Sequence, residues 1–114
     1  MRVHALEFIE HHYQKEIKVS DIADYIGINR SYLTACFQKS IGVSPQQYLI
    51  QYRMEKACDL LKTTDLSINA VASEVGYADP LAFSRSFRQM HDSSPKDFRR
   101  KNGQTIETDI ILEH

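Results

Sequence analysis

The chain has 114 residues, 42% of them apolar and 25% charged, with 14 Lys and Arg against 15 Asp and Glu. That length can bury one modest core or two very small ones. No apolar run approaches the roughly 20 residues of a membrane span, and no secretory h-region follows the start, so neither insertion nor export is expected. The five histidines and two cysteines show no HExxH or Cys/His ligand spacing, which argues against a metal site. Cys36 and Cys58 fall on apolar stripes and read as buried, reduced thiols of a cytoplasmic protein.

The net charge of −1 hides an asymmetry. The tail after Gly103 holds Glu107, Asp109 and Glu113 and no base; without it the balance is 14 bases to 12 acids. Between Phe83 and Lys101 stand six bases (Arg85, Arg88, Lys96, Arg99, Arg100 and Lys101) and two acids, Asp92 and Asp97. Such a local patch suits a polyanion, although a charge run is more often a solvated face. The closing Leu112-Glu113-His114 looks like a cloning-site and histidine-tag remnant and is set aside.

In chain order, residues 2 to about 14 place Val3, Leu6, Ile9 and Tyr13 on one face and Glu7 and Glu10 on the other, an amphipathic helix. VSDIADYIG follows, with Ile22, Ala23 and Ile26 inward and Gly27 placed to end the helix in a left-handed conformation. Lys18 stands at the expected cap position, so Ser20 is the expected cap. Asn29 caps a third helix to about Ser40. At 100° per residue Leu33, Cys36 and Phe37 share one face. Ser31, Thr34, Ala35 and Gln38 fall opposite, with Arg30 beside them at the first turn. This outer face is small and uncharged, unlike a solvated Glu/Lys face, and can approach another surface closely.

Ser44-Pro45 opens a long helix to Lys62, SPQQYLIQYRMEKACDLLK, a rod of about 28 Å. Its apolar positions are Tyr48, Leu49, Tyr52, Ala57, Leu60 and Leu61. Ser67 then caps a short helix with Val71, Ala72 and Val75 inward, ended by Gly76. Asp79-Pro80 opens the next, with Phe83, Phe87 and Met90 inward and Leu81, Ser84, Arg85 and Arg88 outward. Ser94-Pro95 starts a last helix through Phe98 to about Asn102. The tail QTIETDI has weak β character and is expected to be loose. Seven helices and no strand are expected.

Similar sequence stands on either side of the long helix. Phe37 answers to Phe87, Pro45 to Pro95 and Tyr48 to Phe98, at an offset of 50; Ile22 and Val71, Ala23 and Ala72, and Gly27 and Gly76 match at 49. Each copy is a short helix, a glycine turn and a second helix with a clean outer face, which is the helix-turn-helix plan. In that plan the second helix enters the major groove, about 12 Å wide. The rod is comparable to one duplex turn of about 34–36 Å, so two readers would meet successive grooves on one side.

These residues resemble the DNA-binding domain of the AraC/XylS family of bacterial transcription regulators. The resemblance rests on IADYIGINRSYLTACFQKSIGVSPQQYL, YRMEKACDLL and SINAVASEVGYADPLAFSRSFRQMHDSSPKDFR, and covers residues 2 to 102. It implies an all-α module: a first helix-turn-helix subdomain over 1–43, a linker helix over 44–62, a second subdomain over 63–102 and a tail over 103–114. It further implies transcription regulation, mostly activation beside RNA polymerase, no cofactor, and an N-terminal sensing or receiver domain outside this chain. Carried over by position, Arg30, Ser31, Thr34, Ala35 and Gln38 form the first reading face, and Pro80, Leu81, Ser84, Arg85 and Arg88 the second.

Arg85 is the leading candidate for base readout, because Arg pairs bidentately with guanine O6 and N7; a phosphate contact or a surface salt bridge is its alternative. Arg88 suits phosphate. Gln38 suits adenine or phosphate, and Leu81 a thymine methyl or plain solvent exposure. Three positions depart from the family pattern: Ala35 where arginine is frequent, Pro80 where a polar residue is usual, and Asp92 where glycine is common. Aspartate tolerates a left-handed backbone.

Three other readings compete. A helical protein-interaction adaptor would carry larger apolar residues on the outer faces, where only Leu81 fits. An enzyme using Cys36 or Cys58 would need a histidine or a basic setting, and neither cysteine has one nearby in sequence. A non-specific DNA-binding domain would spread its bases more evenly. The sequence favours a sequence-specific, non-enzymatic DNA binder.

Overall fold

The computed structural model describes residues 2–102, so the expectations for the tail lie outside the described residues, as does the side chain of Val3. Those residues form seven helices: α1 (Arg2–His12), α2 (Val19–Ile26), α3 (Arg30–Ser40), α4 (Pro45–Thr63), α5 (Ile68–Glu74), α6 (Pro80–His91) and α7 (Pro95–Asn102). No strand occurs among them.

Side-chain caps set most helix starts. The Asn29 carboxamide oxygen accepts from the Tyr32 N–H at 2.8 Å, and Ser44, Ser67 and Ser94 each accept from the backbone three residues on, at 3.0–3.1 Å. Each cap satisfies a donor that the first turn leaves unpaired. At α2 the expectation of a Ser20 cap fails: Lys18 is the N-cap residue. Lysine has no acceptor, so the side-chain bond there runs the other way, from the Lys18 N–H to the Asp21 carboxylate at 2.7 Å. The helix ends follow the repeat. Gly27 and Gly76 both have positive φ, +86° and +95°. Asp92 takes φ +55°, ψ +20°, filling with an aspartate a left-handed position of the kind that favours glycine.

Two cores lie along one rod. The first gathers Ala5, Ile9, Val19, Ile22, Ala23, Leu33, Phe37 and Leu49; the second gathers Met54, Ala57, Leu61, Val71, Ala72, Val75, Phe83 and Phe87. The repeat partners Ile22/Val71, Ala23/Ala72 and Phe37/Phe87 hold equivalent buried places, and Pro45 and Pro95 are both buried. Burying each phenylalanine contributes about 1.5–3 kcal/mol. α4 serves both cores, through Leu49 near its start and Met54, Ala57 and Leu61 along its second half. Its inward stripe differs from expectation. Tyr48, Tyr52 and Leu60 are only half-buried, while Arg53 and Met54 are buried. The described fold is elongated, 57 × 26 × 23 Å, as two small cores set end to end on a rod require.

Candidate nucleic-acid interface

Leu33 and Phe37 anchor α3, with the Phe37 ring edge-on to Tyr48 at 6.0 Å. That seating leaves Arg30, Ser31, Ala35 and Gln38 exposed on the other side. Thr34 is half-buried, and its hydroxyl donates to the Arg30 carbonyl at 3.0 Å. Its proton is thereby occupied, so what remains for a partner is the oxygen's acceptor capacity and the methyl group. Tyr32, 53% exposed, lies beside this face and belonged to neither predicted stripe. An aromatic in the first turn of a capped helix, away from the inward set, was the available signal.

Phe83 and Phe87 anchor α6. Phe83 meets the Tyr77 ring edge-on at 5.6 Å and Phe87 meets Phe98 at 5.4 Å. The outer side presents Leu81, 73% exposed, with Arg85 and Arg88 exposed and Pro80 and Ser84 half-buried. Gln89 is also exposed, one turn beyond Arg85, so the two can act on one stripe. Met90, expected inward, is instead exposed and lines a surface groove with Gln46, Gln47 and Ile50 of α4. The inward side of α6 continues instead through His91, whose ring lies 4.6 Å from Phe87 and 5.9 Å from Phe98, while Met90 turns toward the first half of α4.

The predicted basic patch divides. Arg99 Nε donates to the Leu61 carbonyl and its Nη2 to the Thr64 carbonyl, both at 3.2 Å. This cation closes the C-terminal end of α4 and is only partly exposed. Arg100 pairs with Asp97 at 3.3 Å on the surface. Arg85 and Arg88 are therefore the outward cations of α6. A cleft of about 430 Å³ beside α4 takes Arg30 from α3, Ser86 from α6, and Gln46 and Arg53 from the rod. The two outer helices thus border a common groove.

The cysteines are half-buried free thiols, less buried than expected. The sequence placed no histidine near either, yet Cys58 Sγ lies 3.4 Å from His91 Nε2. Thirty-three residues separate them, so spacing could not reveal the pair. Burial foremost pushes the Cys58 thiol up, aided by Asp59 and Glu55 and opposed by Lys62. A thiol held protonated in this way is a poor nucleophile. Among the described residues, no group of three or more His, Cys, Asp and Glu gathers as metal ligands, and no helix is long and apolar enough to cross a membrane.

Two helix-turn-helix units on a shared rod, each seating a second helix with its outer face exposed, define a double helix-turn-helix DNA-binding module. A family model described as a helix-turn-helix domain matches residues 22–101. The lactose operon transcription activator of Staphylococcus xylosus is 42% identical over 96 residues, covering 84% of this chain and 34% of that protein. The C-terminal domain of the two-component response regulator yesN of Fusobacterium nucleatum superposes with a TM-score of 0.83 at 32% identity, covering 86% of this chain and 96% of that one. The DNA-binding domain of AdpA, solved in complex with a target DNA, gives 0.82 at 29% identity, covering 88% and 89%. The chain belongs to the AraC/XylS-type helix-turn-helix family, whose module is the DNA-binding part of transcription regulators. It spans about a third of the length of the curated relatives it matches.

Proposed function

We propose that this domain reads a two-part duplex site, with α3 and α6 in successive major grooves, on behalf of a longer transcription activator. The observation that carries this is the duplicated seating of α3 and α6, each anchored by a buried aromatic pair or Leu-Phe pair and each bare on its outer side. In the second unit Arg85 reads guanine, Arg88 holds phosphate and Leu81 packs on a thymine methyl. Pro80 and Ser84 line the approach. In the first, Ser31, Thr34 and Ala35 offer hydroxyl and methyl contacts, Gln38 offers an amide, and Arg30 faces phosphate. The face of α3 holds one arginine, so more of the hydrogen-bonded readout falls to α6.

The units divide as 1–43 and 63–102 around the 44–62 linker, consistent with one core on each half of α4. Activation is supported by the name of the Staphylococcus xylosus relative, and contact with RNA polymerase is the means proposed. A sensing or receiver domain N-terminal to this module, a cytoplasmic setting and the absence of enzymatic chemistry complete the reading.

Selection from a random duplex library, followed by footprinting at two salt concentrations, tests it. Two protected segments about 10 base pairs apart with a recoverable consensus are expected. A single protected segment, or binding without consensus that vanishes as salt rises, refutes two-part reading.

A further inference from the structure

Arg53 is the buried charged residue among the described residues, 9% exposed at the middle of α4. It lies between Leu49 of the first core and Met54 of the second. Its Nε donates to the Tyr13 carbonyl at 3.0 Å and its Nη2 to the Lys15 carbonyl at 2.8 Å, both in the segment after α1. Its guanidinium also lies 5.5 Å from the centre of the Tyr77 ring, in the α5–α6 turn. One cation therefore holds the first unit by two hydrogen bonds and the second by a ring face.

The contact extends to the backbone. A Cβ built on Gly76 would collide with the Tyr13 carbonyl and stand 3.0 Å from Arg53 Nε and Nη2. The turn of the second unit is thus packed directly on the Tyr13–Arg53 bond. Tyr13 itself packs against both cores, and Gln14 Nε2 donates to Glu74 at 3.4 Å across the same seam. Burial disfavours the charge of Arg53, yet an arginine stays protonated in a protein. Its two carbonyls and the ring compensate for lost water, which demands that all three stay in place.

We propose that Arg53 is a positioning residue for DNA reading, locking the two helix-turn-helix units at one relative orientation and so fixing the half-site spacing the protein accepts. The proposal rests on two-part reading by α3 and α6. One inserted base pair displaces a half-site by about 3.4 Å and rotates it by about 35°. A locked junction cannot follow that movement, and simultaneous engagement is lost; a loosened one can follow it.

The test measures binding to the selected two-part site, to the same site with one base pair added or removed between its halves, and to a single half-site. The parent is expected to prefer the selected spacing by about tenfold or more. Arg53→Met should bind the three spacings within about threefold of one another, with single-half-site affinity matching the parent. An Arg53→Met protein that keeps the parent's spacing preference, even if weaker on every duplex, overturns the assignment, since a merely stabilising residue would behave so. A parent indifferent to spacing overturns it too. Should Arg53→Met melt below the assay temperature, Arg53→Lys replaces it. One ammonium lacks the fork that serves both carbonyls, so the preference should again broaden, and an unchanged one overturns the assignment. If no two-part site is recovered for the parent, the reading beneath the proposal has failed, which the single-half-site measurement reveals separately.

Discussion

Gly76→Ala and Gly27→Ala are matched substitutions that separate two costs. Both glycines have φ near +90°, and they are partners in the repeat. An alanine in the left-handed region costs about 1–2 kcal/mol relative to glycine. At Gly27 nothing lies within 4 Å of the added Cβ, so that cost stands alone. At Gly76 the methyl meets the Tyr13 carbonyl and the Arg53 guanidinium. The obstructing atom is backbone, tied down by the Arg53 bond, and cannot swing aside as a flexible side chain would. Overpacking of a fixed neighbour adds about 1–3 kcal/mol, for a total near 2–5 kcal/mol. In a domain of this size each kcal/mol shifts Tm by about 4–8 °C. Thermal and urea unfolding of the two variants beside the parent would show the gap, with Gly76→Ala the lower by about 1–3 kcal/mol. Equal losses at both positions would refute the close packing of the second turn on the end of α1.

Arg85→Ala should cost about 1–3 kcal/mol in DNA binding and relax specificity at one base position; equal weakening across a panel of site variants would make Arg85 a phosphate contact. Phe37→Ala should destabilise by about 3–5 kcal/mol in urea unfolding, as its ring is 1% exposed; unchanged stability would mean α3 is seated otherwise. For Cys58, burial first raises the thiol above its ordinary range. The unfolded chain thus ionises before the folded one, and stability present below about pH 8.5 declines as pH rises through the folded value. Cys58→Ala should remove that part of the decline, and a parent and variant with identical pH profiles would contradict it. Iodoacetamide labelling should likewise be slower at Cys58 in the folded protein than in urea at pH 8, with equal rates as the contrary result.

Much of the fold is local in origin and so was legible along the chain. Helix starts at Asn29, Ser44, Ser67 and Asp79 are cap chemistry over two or three residues. Inward faces such as Leu33/Phe37 and Phe83/Phe87 follow from a period of 3.6. The duplicated pattern disclosed two units because each copy must bury its own small core. Where locality ended, expectation failed. Met90 continues the apolar stripe of α6, but at the end of that helix it is His91, not Met90, that turns onto Phe87 and Phe98. Arg99 reads along the chain as patch charge, but its guanidinium is bonded to the Leu61 and Thr64 carbonyls at the end of α4. Cys58 and His91 meet only because α4 and α6 cross.

Arg53 marks the division most clearly. Within α4 it follows the spacing of Leu49, Ala57 and Leu61 at four-residue steps, yet a charged residue there reads as a gap in the stripe. Its partners are the carbonyls of Tyr13 and Lys15, 40 and 38 residues away, and carbonyls carry no sequence signature. The identities of the outer faces on α3 and α6 were set by the sequence, because helical period alone turns them away from the core. How those faces stand relative to each other was decided by the tertiary structure, where one buried cation between the two cores meets two carbonyls of the first unit and a ring of the second.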